Sequence, residues 1–230
     1  MPRTTKDLFR MLGASNHCEE ECEVTDFYST DPDCIDDLFA VEEFSDIILE
    51  PCCGSGNLSK KMEEYGKTVI STDLYDHGYG KSGIDFFTYK DIDCDLITNQ
   101  PYTCQTEIVA HALKVLRPGR KMAMFLKIQF LEGQERLEKI YKQMKLKTVY
   151  VYSKRVACYK NDERYQKNED GTFKLDKDGN KKKIGSAACY CWFIFDTTYN
   201  GFPTIKWIAP KEEVDNSPKP YSLFSEVLND

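Results

Sequence analysis

The sequence predicts an α/β domain built on a mostly parallel sheet with helices on both faces. Short apolar runs at 47–49 and 96–97 read as buried parallel strands, and further runs at 68–72 and 122–126 read as strands beside them. Helix-like stretches separate several of these runs, which is the pattern of βαβ units. Two runs end in turn-rich segments, Glu50-Pro51-Cys52-Cys53-Gly54-Ser55-Gly56-Asn57 and Thr98-Asn99-Gln100-Pro101-Tyr102. An open α/β sheet places its ligands at such strand ends.

Taken in order, residues 4–12 read as a short helix and 14–24 as an acidic lead-in. Residues 33–44 have Ile35, Leu38, Phe39 and Val41 at near-helical spacing. Strand 46–50, helix 57–65, strand 67–72, strand 84–87, strand 94–98 and helix 105–116 follow. Pro118-Gly119 marks a turn before strand 122–126. Helix 133–145 carries glutamates and lysines on its wet face. Residues 147–152 alternate like a strand, with 189–195 as the expected partner and Trp192 and Phe195 in the core. Between these two strands a polar segment, 160–185, contains Asp170-Gly171 and Asp178-Gly179 and reads as an insert or protruding hairpin.

A chain of 230 residues accommodates one complete α/β domain and not a second target-reading domain of similar size. No apolar run reaches the roughly 20 residues of a membrane helix, and no signal-peptide core follows the N-terminus, so a cytoplasmic location is expected. The ten cysteines read as reduced thiols, since Cys52, Cys53, Cys189 and Cys191 fall inside core elements. The net charge of −7 conceals a division. Residues 14–50 hold 13 acidic side chains and no Lys or Arg, whereas residues 139–185 hold 14 basic against 6 acidic. Such asymmetry separates a partner-binding face from a solvated one.

The glycine segment has a nucleotide-site geometry: a strand ending in Glu50, a tight turn with Gly54 and Gly56, and a helix opening at Asn57. It lacks both the P-loop pattern and the full dinucleotide fingerprint. Asp73 closes the next apolar run, where a carboxylate suits a ribose diol. His17, Cys18 and Cys22 lack a second pair at metal-binding spacing, so no metal is expected. Asp176, Asp178 and Asn180 begin like a calcium loop, but Lys181 stands at the required glycine and Ala187 at the closing glutamate.

Glu50-Pro51-x-x-Gly54-x-Gly56 followed by Asn99-x-Pro101-Tyr102 resembles the S-adenosylmethionine-dependent amino-methyltransferases, above all the DNA adenine-N6 type. Asp26-Phe27-Tyr28-Ser29-Thr30 is similar to a segment that precedes the glycine loop in one subclass, and Asp85-Phe86 to an adenine-contacting pair. Residues 130–136, 153–156 and 185–194 resemble small stand-alone methyltransferases of phages and mobile elements, so the likeness covers about residues 25–208. The family tetrapeptide has proline where this chain has Gln100, a position that works through its backbone carbonyl.

The resemblance implies a Rossmann-like class I methyltransferase fold, a seven-stranded, mostly parallel sheet with an antiparallel last strand. It implies a domain at 25–210 with the insert at 160–185, between an N-terminal segment at 1–24 and a tail at 211–230. It implies an S-adenosylmethionine site formed by Phe27, Tyr28, Thr30, Glu50, Pro51, Cys52, Gly54, Gly56, Asn57, Asp73, Leu74, Asp85, Phe86 and Asn99. Asn99, Gln100, Pro101 and Tyr102 are the implied catalytic residues: Asn99 Oδ1 and the Gln100 carbonyl accept from a target amine, and Tyr102 stacks on the base. Lys154, Arg155, Lys181, Lys182 and Lys183 are the expected nucleic-acid contacts, with no membrane partner. DNA adenine is the first substrate expected; an RNA base, a protein glutamine, or a decayed site that only binds cofactor stay open.

Overall fold

The computed structural model describes residues 28–160, 163–185 and 188–208. The segments 4–12, 14–24 and 211–230 and the candidate residue Phe27 lie outside the described residues.

The elements are β1 (Tyr28–Thr30), α1 (Asp33–Phe39), β2 (Ile47–Glu50), α2 (Asn57–Glu64), β3 (Thr68–Ser71), β4 (Asp95–Thr98), α3 (Gln105–Val115), β5 (Lys121–Lys127), α4 (Gln134–Lys139), β6 (Leu146–Tyr152), β7 (Cys158–Lys160), β8 (Tyr190–Asp196) and β9 (Thr204–Ile208). Seven strands form one sheet in the order β3-β2-β4-β5-β8-β6-β9. β3, β2, β4 and β5 run parallel. β8 is antiparallel to both β5 and β6, and β9 lies parallel to β6 at the edge. This is the seven-stranded, mostly parallel α/β sheet expected from the sequence, but its antiparallel member is β8 and not the last strand, β9.

The apolar runs are continuous because their residues serve two cores alternately. Leu49, Leu96, Met122, Met124 and Leu126 pack with Ile108, Val109, Ala112 and Val115 of α3 on one face. Ile48, Ile97, Ala123 and Phe125 pack on the other, against Cys34, Ile35 and Leu38 of α1 and Leu58 and Met62 of α2. Side chains of a strand alternate faces, so a strand covered by helices on both sides has no polar face to show.

Three elements differ from the sequence-based expectation. Residues 84–87 do not pair as a strand: Asp85 Oδ1 accepts from the Phe87 amide at 2.9 Å and caps a single 3₁₀ turn, Phe86–Thr88. The seventh strand is β9, which joins the sheet by parallel pairing with β6, Thr148 opposite Thr204. The helix expected over 133–145 stops at Lys139, because Ile140 turns into the core at 1% exposure and Met144 adopts φ 57°. The insert is a small ribbon of antiparallel bridges, Tyr165 with Lys183, Lys167 with Phe173, and Leu175 with Lys181. β1 and β7 make a separate two-stranded antiparallel sheet. Among the described residues no helix is long and apolar enough to cross a membrane.

Candidate active site

From β2 the chain winds to β3 on one side and then to β4 on the other, so the topological switch point lies between β2 and β4. Ligand crevices of open α/β sheets form there, beyond the carboxyl ends of the strands. A cleft of about 890 Å³, counting its open mouth, occupies this place. Its walls are the loop after β2, the residues after β3, the turn at 84–87, the segment after β4, and β1.

The loop after β2 is braced by acidic groups. The Gly54 amide donates to Asp73 Oδ2 at 2.9 Å, and the Tyr75 amide to Asp73 Oδ1 at 2.9 Å. Two backbone donors leave lone pairs on both oxygens of Asp73, so the same carboxylate can still receive hydroxyls from the cleft. Glu50 is 2% exposed and accepts from the Ser59 hydroxyl. Burial, with some help from the nearby Asp73 charge, pushes its acid up to about 8. Gly54 and Gly56 have φ of 52° and 80°, conformations natural to glycine. Gly56 does not line the cleft: a Cβ there would lie 2.2 Å from Tyr79 Cδ1, so the packing of Tyr79 demands this glycine.

The segment after β4 is built differently. Asn99 Nδ2 donates to the Thr30 hydroxyl at 2.8 Å and the Tyr28 carbonyl at 3.2 Å. A carbonyl can only accept, so the amide orientation is set by β1, and Oδ1 is left buried without a partner. Tyr102 lies 5.2 Å from the Tyr28 ring and shares a 2.7 Å hydroxyl contact with Tyr190. Burial holds its phenol well above the usual range. Lys127 Nζ stands 4.6 Å over the Tyr102 ring, an attractive cation–π placement that occupies one face of the ring expected to stack on a base.

Tyr28, Thr30, Glu50, Pro51, Cys52, Gly54, Asn57, Asp73, Leu74, Asp85, Phe86, Asn99, Gln100, Pro101 and Tyr102 all line this one cleft. Tyr75, His77, Ile84, Cys104 and Ile108 line it too, although the sequence reading did not select them. Cys104 and Ile108 follow the tetrapeptide within one or two helical turns, a spacing that could have flagged them. Among the described residues no group of three or more His, Cys, Asp or Glu could hold a metal ion; His17, Cys18 and Cys22 lie outside those residues.

The expected nucleic-acid contacts lie elsewhere. Lys154 and Arg155 are exposed just after β6, and Lys181, Lys182 and Lys183 are exposed on the insert. Lys183 Nζ pairs with Asp31 Oδ2 at 3.1 Å, tying the insert to the residue beside Thr30. Lys181 Nζ sits 4.0 Å over the Phe173 ring.

No protein-family model matches the chain, and no curated protein matches it. Among solved structures it is similar to a candidate class I S-adenosylmethionine-dependent methyltransferase of Listeria monocytogenes, at 14% identity and TM-score 0.48, covering 97% of this chain and 76% of the other. It is similar to a candidate type I restriction modification subunit of Vibrio vulnificus, at 13% identity and TM-score 0.47, covering 90% and 53%. The type IIG restriction endonuclease BpuSI gives 10% identity and TM-score 0.45, covering 74% of this chain and 24% of that one. The chain therefore spans only part of these proteins, about a quarter of BpuSI. At such identities and TM-scores, none of these likenesses bears on function.

Proposed function

We propose that the chain is an S-adenosylmethionine-dependent N-methyltransferase that acts on the exocyclic amino group of adenine in DNA, with its methyltransferase domain at 25–210. The observation that carries this reading is Asn99. Its Nδ2 is tied to β1, and its Oδ1 is buried in the cleft with nothing to accept from. An acceptor held in that way suits the N–H of a planar amine.

The cleft's residues fit the cofactor. Asp73 retains lone pairs for a ribose diol, Leu74, Phe86 and Ile108 supply apolar surface for a purine, and Glu50 with the glycine loop lines the opposite end. S-adenosylmethionine bound there supplies an electrophilic methyl group on a sulfonium. Asn99 Oδ1 and the Gln100 carbonyl draw on the two N–H bonds of the acceptor amine, which is otherwise a poor nucleophile, and orient its lone pair. The contribution of the protein is alignment and modest electrostatics. Tyr102 supplies a stacking face for an extruded base, and Lys127 over that ring favours a nearby phosphate. The preference for DNA rests on the resemblance of residues 130–136, 153–156 and 185–194.

Incubating the protein with methyl-labelled cofactor and a mixed pool of DNA, RNA and protein tests the reading. Label recovered as N6-methyladenine in DNA is the expected result. Label in RNA or protein glutamine would move the substrate class, and cofactor binding without transfer would make this a cofactor-binding protein. Binding of NAD in place of S-adenosylmethionine would overturn the whole reading.

A further inference from the structure

Among the described residues, every buried side-chain nitrogen or oxygen without a hydrogen-bond partner belongs to three consecutive positions: Thr98 Oγ1, Asn99 Oδ1, and Gln100 Nε2 and Oε1. Thr98 has the Cys52 thiol beside it, a weak partner. Asn99 Oδ1 is used by the acceptor amine in the mechanism above. Gln100 is left over. It is 2% exposed, it lines the cleft, and both atoms of its amide are unpaired. Buried polar side chains in folded proteins are in large majority paired, so an orphaned amide in the wall of a ligand cleft calls for a ligand.

The fold indicates which part of the ligand. Leu96 faces the α3 core and Ile97 the α1–α2 core, and β4 ends at Thr98. Asn99 is turned toward β1 by its bonds to Tyr28 and Thr30. Gln100 lines the cleft together with Phe86, Cys104 and Ile108, which belong to or pack against the α3-side core. Phe86 and Asp85 mark the end assigned to the purine.

We propose that Gln100 is a specificity-determining residue for the cofactor, its side-chain amide pairing with the edge of the adenine ring. Oε1 accepts from the 6-amino group and Nε2 donates to an adjacent ring nitrogen, a pairing that glutamine and adenine make readily. Proline, which the resembling family has at this position, can supply neither bond. This role rests on the methyltransferase reading of the cleft.

Calorimetry with S-adenosylhomocysteine and with its analogue lacking the 6-amino group separates the two. The wild-type protein is expected to prefer the amino-bearing ligand by at least about tenfold, because a site built to pair with an N–H discriminates against the ligand without it. In Gln100→Met the preference should shrink to within about threefold, and the ligand-free protein should melt no lower than wild type, since an unpaired buried amide has been removed. An unchanged preference in folded Gln100→Met overturns the proposal. Should that variant fail to fold, Gln100→Glu keeps the acceptor and loses the donor: both ligands are expected to bind more weakly with the preference retained, and wild-type affinity for both would overturn the proposal. If wild type binds the two ligands equally, the cofactor reading stands and the role of Gln100 falls. If wild type binds neither, both readings fall together.

Discussion

The two walls of the cleft solve the problem of buried polar groups in opposite ways. In the wall after β2 the polar groups find partners within the chain: Asp73 receives the Gly54 and Tyr75 amides, and Glu50 receives the Ser59 hydroxyl. In the wall after β4, Asn99 Oδ1 and the whole Gln100 amide have no partner. A buried group left unpaired costs roughly 1–3 kcal/mol, so the second wall is held in a state that a ligand would relieve. The first wall is a braced frame, and the second is where discrimination between ligands is to be sought.

The largest effect that would break this contrast concerns Glu50. Its acid sits at about 8 in the folded protein against an ordinary 4.5. A raised pKa means stability that is fully present below about 4.5 and is lost as pH rises through about 8. Thermal or urea unfolding of the ligand-free protein should therefore show a decline over that window on the order of 5 kcal/mol, and Glu50→Gln should flatten it. A flat wild-type profile would mean that this wall is not the braced, dry frame described.

Next in size is Asn99→Ala. It removes the unpaired acceptor while leaving the glycine loop alone, so methyl transfer should fall by at least about a hundredfold with little change in cofactor affinity. Turnover equal to wild type would reduce the segment after β4 to a turn. Asp73→Ala acts on the opposite wall and should weaken cofactor binding by about 1–3 kcal/mol, measured by calorimetry. Cofactor affinity unchanged in Asp73→Ala would show that the frame does not touch the ligand. The smallest effects belong to the exposed cations. Replacing Lys154 or Lys182 by Gln should each lower the slope of log binding constant against log salt for DNA by about 1, across all sequences. Lys183→Gln breaks an exposed pair with Asp31 and should cost stability no more than about 1 kcal/mol.

The strand-and-loop plan was legible in the sequence because burial on both faces writes itself as unbroken apolar runs such as Met122-Ala123-Met124-Phe125-Leu126. The strand ends carried the turn residues that gather in the cleft, and nearly every residue selected there lines it. The run Ile84-Asp85-Phe86-Phe87 misled, since a side chain that caps its own backbone two residues on competes with strand pairing, and Asp85 does so. β9 was missed because a short edge strand, exposed over Thr204–Trp207, has no buried run to announce it.

By itself the sequence determined most of the segments that become strands and where the loops that carry Glu50, Asp73 and Asn99 begin. Those are properties of local pattern and spacing, which a chain carries before it folds. Only the tertiary structure decided that Gly56 is required by Tyr79, that Tyr28 and Thr30 aim Asn99, that Lys127 covers Tyr102, and that Gln100 is buried with its amide unpaired. Each of these is a contact or a burial between residues distant in the chain, and such relations exist only once the two cores have closed on the sheet.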